Sequence, residues 1–307
     1  MNRKNAITLV ELCVLILALA LLICLLRPVL GETSELAKRA VCAANLRAIG
    51  QACQLYAEAN QGWFPHSLYD PAPGTPPNGH SVTFIGELSR DYTVQKTSGT
   101  WTRVHPSRSL FLLVIGGHVA TESFMCPSSG DLVDPLRNMY GGTQSPSLPG
   151  VNRFDFWGYT MLSYGYQMPF GQRGKPHSNL DPRMVIVADK GPYFEAGRVD
   201  LAKGNTVDAP RLAVRAPEFP GSAADILRLP NERWRPYNSR NHVAGEGQNV
   251  MFLDSHVEFL KRPICGVNYD NIYTQQALDY TLEGAIKGAK PQDRLGPLTN
   301  TDTIIIP

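Results

Sequence analysis

The hydrophobic pattern divides the chain sharply near its N-terminus. Across residues 7–26, 18 of 20 positions are apolar, and the exceptions are Thr8 and Glu11. A run of about 20 apolar residues can cross the hydrocarbon core of a bilayer as a helix. Because Arg3 and Lys4 precede the run, the positive-inside rule predicts a cytoplasmic N-terminus and places the rest of the chain on the other side of the membrane.

A second, amphipathic helix is predicted between residues 32 and 60. Its apolar positions recur at steps of four, three, four and three, so they lie on one helical face. These positions are Cys42, Leu46, Ile49, Cys53 and Tyr56. Pro28 predicts a kink or a local break between the two helical patterns, since proline lacks an N–H and its ring clashes with the preceding turn. Asn60-Gln61-Gly62 predicts the end of the second helix.

The patterns after residue 62 are typical of a β-rich region. The apolar run from Met184 to Val187 predicts a buried strand. Residues 249–253 and 256–260 are apolar stretches separated by Asp254-Ser255, the spacing of a β-hairpin with a two-residue turn. Residues 109–115 fit a helix or a strand equally well.

The remaining stretches are predicted to be long surface loops at residues 70–80, 140–149 and 199–241. The predicted fold class is therefore α+β: a long N-terminal helix packed on a β-rich globular head.

Composition narrows the classes of function. The chain has 307 residues, of which 43% are apolar and only 18% are charged, so a disordered charged tail is excluded. There are 29 Lys and Arg against 27 Asp and Glu, a net charge of +2. Binding to nucleic acid through bulk positive charge is therefore not expected.

Glu11 separates the alternatives for the apolar segment. The basic start fits a secretory signal peptide, but a carboxylate inside the apolar region argues against one. A lipoprotein signal needs a small residue before the cysteine, and Ile23 precedes Cys24. A plain membrane anchor leaves Glu11 unexplained, because a carboxylate in a lipid-facing helix costs about 2.5–3.5 kcal/mol on insertion scales.

The segment Ala6-Ile7-Thr8-Leu9-Val10-Glu11-Leu12 resembles the prepilin signature of type IV pilins and type II secretion pseudopilins. The resemblance implies that a prepilin peptidase cuts between Ala6 and Ile7 and methylates the new N-terminus at Ile7. Glu11 is then the glutamate at the fifth mature position, which takes part in assembly. Where this chain has Ala6 and Ile7, the family usually has Gly and Phe.

Further islands resemble a subgroup of prepilin-like proteins abundant in planctomycetes, in the same order along the chain. They are residues 42–51, 56–57, 60–65, 124–128, 163–166, 181–189, 241–242 and 252–254. In many of these proteins about nine residues separate a His from a following Asp-Gly. Here eleven residues separate His242 from Asp254, and Ser255 replaces the Gly.

The resemblance implies a leader at residues 1–6, a transmembrane and amphipathic helix at 7–62, and an extracytoplasmic head at 63–307. The expected function is that of a pilin-like or pseudopilin-like subunit in the cytoplasmic membrane, which assembles through its N-terminal helix into a type II secretion pseudopilus or a related fibre. The expected partners are prepilin peptidase, other pilin or pseudopilin subunits, the secretion or pilus assembly machinery and the lipid bilayer. The alternatives are an anchored binding module that uses the same export route and, less favoured, an envelope hydrolase.

Candidate chemistry in the head is sparse. Asp189, His242, Asp254 and His256 could be combined into a hydrolase site, but their spacing matches no metal or nucleophile motif, so no catalytic residue and no enzyme activity is predicted. No cofactor is predicted other than a structural calcium ion, which some pseudopilins hold in a C-terminal loop. Its weak candidate ligands are Asn268, Asp270 and Asn271.

Six cysteines complete the inventory of reactive side chains. Cys13 and Cys24 lie in the apolar run, whereas Cys42, Cys53, Cys126 and Cys265 would lie on the oxidising side of the membrane. Eleven residues of helix separate Cys42 from Cys53 by about 16 Å, so these two cannot pair. Both can face the head, where Cys126 or Cys265 could reach either. Cys42 and Cys126 both lie in the family-like islands and are the preferred disulfide; free thiols are the alternative.

Overall fold

The structure is a computed structural model that describes residues 8–66, 105–136, 155–156, 158–169, 175–193, 219–277, 281–290 and 296–307, without the side chains of residues 23–32 and 244. Within these ranges the α-helices are α1 (Leu9–Ala59), α2 (Ser107–Ile115), α3 (Ala223–Leu227) and α4 (Leu282–Lys287). The strands are β1 (Tyr164–Gln167), β2 (Val185–Asp189), β3 (Gln248–Phe252), β4 (Val257–Leu260) and β5 (Ile305–Ile306).

Helix α1 runs without interruption for 51 residues, so the break predicted at Pro28 is absent. Proline removes one backbone donor, and the hydrogen bonds of the neighbouring turns can carry the helix past it. The predicted C-terminal end is confirmed, because Asn60 caps the helix and Gly62 takes a φ of +87°. Among the described residues, no helix has a stretch both long and apolar enough to cross a membrane.

The strands form one antiparallel sheet in the order β4-β3-β2-β1-β5, which confirms the α+β class. The predicted hairpin is present: β3 and β4 pair with Asn249 opposite Phe259 and Met251 opposite Val257. Its turn at Asp254-Ser255 places Ser255 at a φ of +69°. The predicted buried strand is also present and extends to Asp189.

The second half of α1 packs across this sheet. The four residues of its predicted stripe before Tyr56 are fully buried, and Tyr56 is partly buried. Gly50 allows a close approach of α1 to β3, because a Cβ at this position would lie 3.2 Å from the Met251 sulfur. The ambiguous segment 109–115 belongs to α2, whose buried face joins the same core through Phe111 and Leu113.

A small second core overturns the prediction that residues 199–241 form only a surface loop. Phe219, Ile226 and Trp234 pack together with Ile264 and Ile286. Sequence periodicity missed this cluster because its elements are α3 and a short 3₁₀-helix, which are too brief to show a repeat. The predicted loops at 70–80 and 140–149 lie outside the described residues.

Candidate functional site

A buried charged group joins α1 to the sheet. His242 lies between two carboxylates: its Nδ1 is 2.8 Å from Glu35 on α1, and its Nε2 is 3.2 Å from Asp189 at the end of β2. The side chains of His242 and Asp189 have no exposed surface, and that of Glu35 is 12% exposed. An imidazolium in this position gives both buried carboxylates a partner.

The sheet holds the Asp189 carboxylate in place with backbone and amide donors. The Asn249 backbone N–H donates to Oδ2 at 2.6 Å, and the Asn241 side-chain amide donates to Oδ1 at 3.1 Å. The same Asn241 amide donates to the Ser163 carbonyl at 2.7 Å. These partners of Asp189 all come from the head, and none of them comes from α1.

The electrostatics favour the charged forms of the imidazole and the helix carboxylate. Burial by itself lowers the pKa of His242, but the hydrogen bond and charge of Asp189, with the bond to Glu35, outweigh burial and raise the pKa to about 9. Burial by itself raises the pKa of Glu35, but hydrogen bonds from His242 and Ser128 and the charges of His242 and Arg39 bring it below its ordinary value. At neutral pH the group is therefore an ion cluster.

Arg39, one turn after Glu35, extends this cluster to β4. Its guanidinium carbon lies 4.2 Å from the centre of the Phe259 ring on β4, and its Nη2 donates to Glu246. Its Nε lies 3.8 Å from Glu35. Arg39 therefore holds α1 by a cation–π contact and an ion pair, beside the His242 bridge.

Two cysteines lie at the same junction. The sulfurs of Cys42 on α1 and Cys126, just after the 3₁₀-helix Thr121–Phe124, are 2.6 Å apart and fully buried. The structure carries both as thiols. Each of these sulfurs and a ring nitrogen of His242 lie within 4.8 Å of one another. The structure thus brings together the pair that the family resemblance favours.

A second buried ion pair braces the head beside the junction. The Lys190 Nζ is 2.9 Å from Asp131 and donates to the Tyr159 carbonyl at 2.8 Å. Burial lowers the pKa of Lys190, and the charge of Asp131 offsets part of that effect. The Ser163 hydroxyl donates to the other Asp131 oxygen at 2.7 Å. Because the Ser163 carbonyl also accepts from the Asn241 amide, Ser163 connects the Lys190–Asp131 pair to the His242 site.

The predicted processing residues Ala6 and Ile7 lie outside the described residues. Glu11 lies in the first turn of α1, where its carboxylate accepts hydrogen bonds from the Thr8 backbone N–H at 2.9 Å and the Thr8 hydroxyl at 2.8 Å. The Thr8 hydroxyl in turn accepts from the Glu11 N–H, which completes a capping box. In a lone chain Glu11 therefore caps its own helix.

The three candidate calcium ligands have different surroundings. Asn271 uses its side-chain amide locally, accepting from the Tyr273 N–H and donating to the Ile286 carbonyl. Asp270 is buried and accepts from the Thr303 N–H at 2.7 Å, and burial followed by the charge of Asp302 raises its pKa well above the ordinary value. Asn268 has a φ of +59° in the preceding turn. A calcium ion at these residues stays a prediction.

The histidines and aspartates considered for hydrolysis separate into two pairs. His242 contacts Asp189 inside the junction, whereas His256 contacts Asp254 on the exposed hairpin turn. The Asp254 carboxylate also accepts from the His256 backbone N–H at 3.1 Å, which is the work of a turn residue. His242 and Asp254 are therefore close in sequence but serve different parts of the structure.

Glu35 and Arg39 are the residues of this junction that periodicity alone did not single out. They precede Cys42 by seven and three positions, so they extend its helical face towards the N-terminus. Extending the helical face of Cys42 towards the N-terminus, with polar residues included, would have identified Glu35 and Arg39. Their partners, His242 and Glu246, are 207 residues away in both cases.

Comparison with protein-family models, with curated proteins and with solved structures found no match.

Proposed function

We propose that this chain is a pilin-like subunit, processed by a prepilin peptidase, that assembles through its N-terminal helix into a type II secretion pseudopilus or a related fibre. The observation that carries the proposal is Glu11 within an apolar helical segment preceded by a short basic leader. A carboxylate inside the hydrocarbon core of a bilayer is costly without a partner, so its position favours an assembly contact.

The exposure of α1 supports this proposal. Every described side chain over residues 9–22 is exposed, including Leu9 at 78% and Leu17 at 70%. A contiguous apolar surface of this kind on a folded chain marks a contact with lipid or protein. We propose that the bilayer and the α1 helices of neighbouring subunits both cover it.

The pairing of Glu11 gives the assembly step a physical basis. After cleavage before Ile7, the new α-amino group of one subunit would lie near the carboxylate of its neighbour and neutralise it. Glu11 would then exchange its contact with Thr8 for an intersubunit ion pair. The leader prevents this exchange until processing, because the uncut chain has no amine at Ile7.

The native Cys13 thiol offers a direct test, since it is exposed and two residues from Glu11. In a Cys24→Ser background, a short bifunctional maleimide should crosslink processed subunits through Cys13. Glu11→Ala should abolish that crosslink, while Glu58→Ala, an exposed glutamate of the docked half of the same helix, should leave it unchanged. Cys13→Ser confirms the site of reaction.

Mass spectrometry of the mature N-terminus completes the test. A chain beginning at methylated Ile7 is the expected product, and a protein that keeps Met1 in cells with active prepilin peptidase would contradict the proposal. Processing at Ile7 without any Cys13 crosslink would favour the anchored binding module, in which export does not lead to a fibre.

A further inference from the structure

We propose that Cys42 and Cys126 form a disulfide that a protein thiol oxidase introduces before α1 docks on the sheet, and that docking then seals the bond from reductants. This inference rests on the proposed function, which places the head in an oxidising compartment outside the cytoplasm.

The geometry selects this pair from the described cysteines. Only Cys42 and Cys126 have sulfurs in contact within the part of the chain that the structure describes. Cys53 is fully buried on α1, about 16 Å along the helix from Cys42, and its thiol faces no second sulfur there. Cys265 is half-buried, with its thiol 3.7 Å from the Pro263 carbonyl. The structure therefore places Cys126, and not Cys265, against Cys42, which is the pairing that the family resemblance favours.

A thiophilic metal ion is the rival occupant, because His242 completes a three-donor group with the two sulfurs. Two thiolates on one tetrahedral zinc ion, each bound at about 2.3 Å, lie about 3.8 Å apart. The sulfurs here are 2.6 Å apart, which leaves no room for the ion between them. Both ring nitrogens of His242 also face carboxylates. These contacts favour a covalent bond.

Burial determines when the bond forms. Both cysteines have no exposed surface in the folded chain, so a protein-sized oxidant cannot reach them there. The contact with Cys42 and burial raise the pKa of the Cys126 thiol, which makes it a weak nucleophile once α1 has docked. Oxidation must therefore precede docking, when both thiols are open to solvent.

The reaction is thiol–disulfide exchange. One thiolate, Cys42 or Cys126, attacks a disulfide of the oxidase and releases one oxidase thiol. The second thiolate then attacks the mixed disulfide, forms the Cys42–Cys126 bond and releases the second oxidase thiol. Two electrons and two protons pass to the oxidase, which leaves as a dithiol. The product links α1 to the head through two cysteines that are 84 positions apart in the sequence.

The ion cluster around His242 keeps reductants away from the bond. It lies beside the sulfurs and crosses from α1 to β2, so a reductant can reach the bond only when this part of α1 lifts away. His242→Ala should therefore accelerate reduction of the native protein about tenfold or more, since local opening becomes easier. His256→Ala, on the exposed turn, should leave the rate unchanged.

The test is peptide mapping of the full chain, isolated from its native envelope with free thiols alkylated during denaturation. A linked peptide pair containing Cys42 and Cys126, with Cys53 and Cys265 alkylated, is the expected result. Native protein should resist a small dithiol reductant and lose the link once unfolded. Chain refolded in reductant should be oxidised by a protein oxidase at least about tenfold more slowly than unfolded chain.

Alkylated Cys42 and Cys126 in the native envelope protein would overturn the disulfide, as would stoichiometric zinc measured by elemental analysis. Equal oxidation rates for folded and unfolded chain would overturn the order of events. The mapping uses wild-type protein, so its outcome does not depend on whether a cysteine variant folds. The N-terminal mass is read from the same sample: a start at Ile7 with free thiols refutes only the disulfide, and an intact Met1 with a linked pair refutes only the prepilin role.

Discussion

The two halves of α1 are parts of one continuous helix but have opposite surroundings. Every described side chain in residues 9–22 is exposed, whereas in residues 33–59 one face is buried under the head. Within residues 9–22 the one charged residue is Glu11, which contacts Thr8 at the helix start. The second half carries Glu35 and Arg39, which bind the head across its buried face. Helical structure alone therefore does not show what a helix contacts, and each half has to be tested separately.

The largest stability effect is expected at His242, which joins the docked half to the sheet. His242→Ala removes the cation that lies between the carboxylates of Glu35 and Asp189, and removing one partner of a buried ion pair costs about 3–5 kcal/mol. Denaturant unfolding of the full chain in detergent measures this loss.

His256→Ala is the matched control, because His256 also pairs with an aspartate but is 52% exposed. Its expected change is within about 0.5 kcal/mol. Equal losses in the two variants would show that the His242 cluster does not stabilise the junction.

Leu46 tests the apolar contact of the same half. It is fully buried, and Leu46→Ala should lower the free energy of unfolding by about 3–4 kcal/mol through lost burial and the cavity left behind. Leu55→Ala, at an exposed position of the same half, is the control and should cost less than about 1 kcal/mol. Similar effects at both positions would mean that α1 is not docked through this face.

A pH titration tests the charge of His242. The folded pKa of about 9 lies above the unfolded value of about 6.5, so the stabilisation is complete below pH 6.5 and is lost as the pH rises through 9. The shift corresponds to about 3 kcal/mol. The groups that act on the ring are Glu35 from α1, Asp189 from β2 and the Cys126 thiol, and Arg39 lies beside Glu35.

The measurement is the difference in unfolding free energy between wild type and His242→Gln from pH 6 to pH 10. The wild-type advantage should shrink over that range, because only wild type loses a proton from this position. An advantage that is constant with pH would show that His242 is neutral in the folded protein.

A smaller effect is expected at Gln54, which ties the end of α1 to the hairpin. Its side-chain amide donates to the Leu253 carbonyl at 2.8 Å. Gln54→Ala should cost about 1 kcal/mol, the typical net value of one hydrogen bond. Gln51→Ala, three residues earlier and exposed, should have no measurable effect in the same unfolding assay. Equal losses would assign the effect to helix propensity rather than to the hydrogen bond.

Sequence reasoning located features that depend on neighbouring residues. The stripe from Cys42 to Tyr56 follows from the 3.6-residue period of a helix. The hairpin follows from two apolar stretches on either side of Asp254-Ser255, and a short window of sequence contains each signal. Residues 109–115 fit a helix or a strand from their sequence alone, and only their packing in the core identifies them as helical. The compact cluster around Trp234 combines elements too short for a period.

The junction could be predicted only in part, because its partners are distant in sequence. The family resemblance singled out the Cys42 and Cys126 pair, and the structure brings the sulfurs together. The role of Glu35 depends on His242, 207 residues later, and no local pattern links them. A break at Pro28 was expected from proline chemistry, but α1 continues through this position.

The smallest stability effect is expected at Leu17, in the first half of α1, and it is compared directly with the effect at Leu46 in the second half. Leu17→Ala removes the same atoms as Leu46→Ala, but Leu17 is 70% exposed in the lone chain, so the free energy of unfolding of the head should change by less than about 0.5 kcal/mol. If this surface contacts neighbouring helices, the same variant should weaken Cys13 crosslinking while Leu46→Ala folded at low temperature keeps it. A stability loss at Leu17 comparable to that at Leu46 would mean that the first half of α1 packs within its own chain, and the assembly role proposed for it would then have no surface to act through.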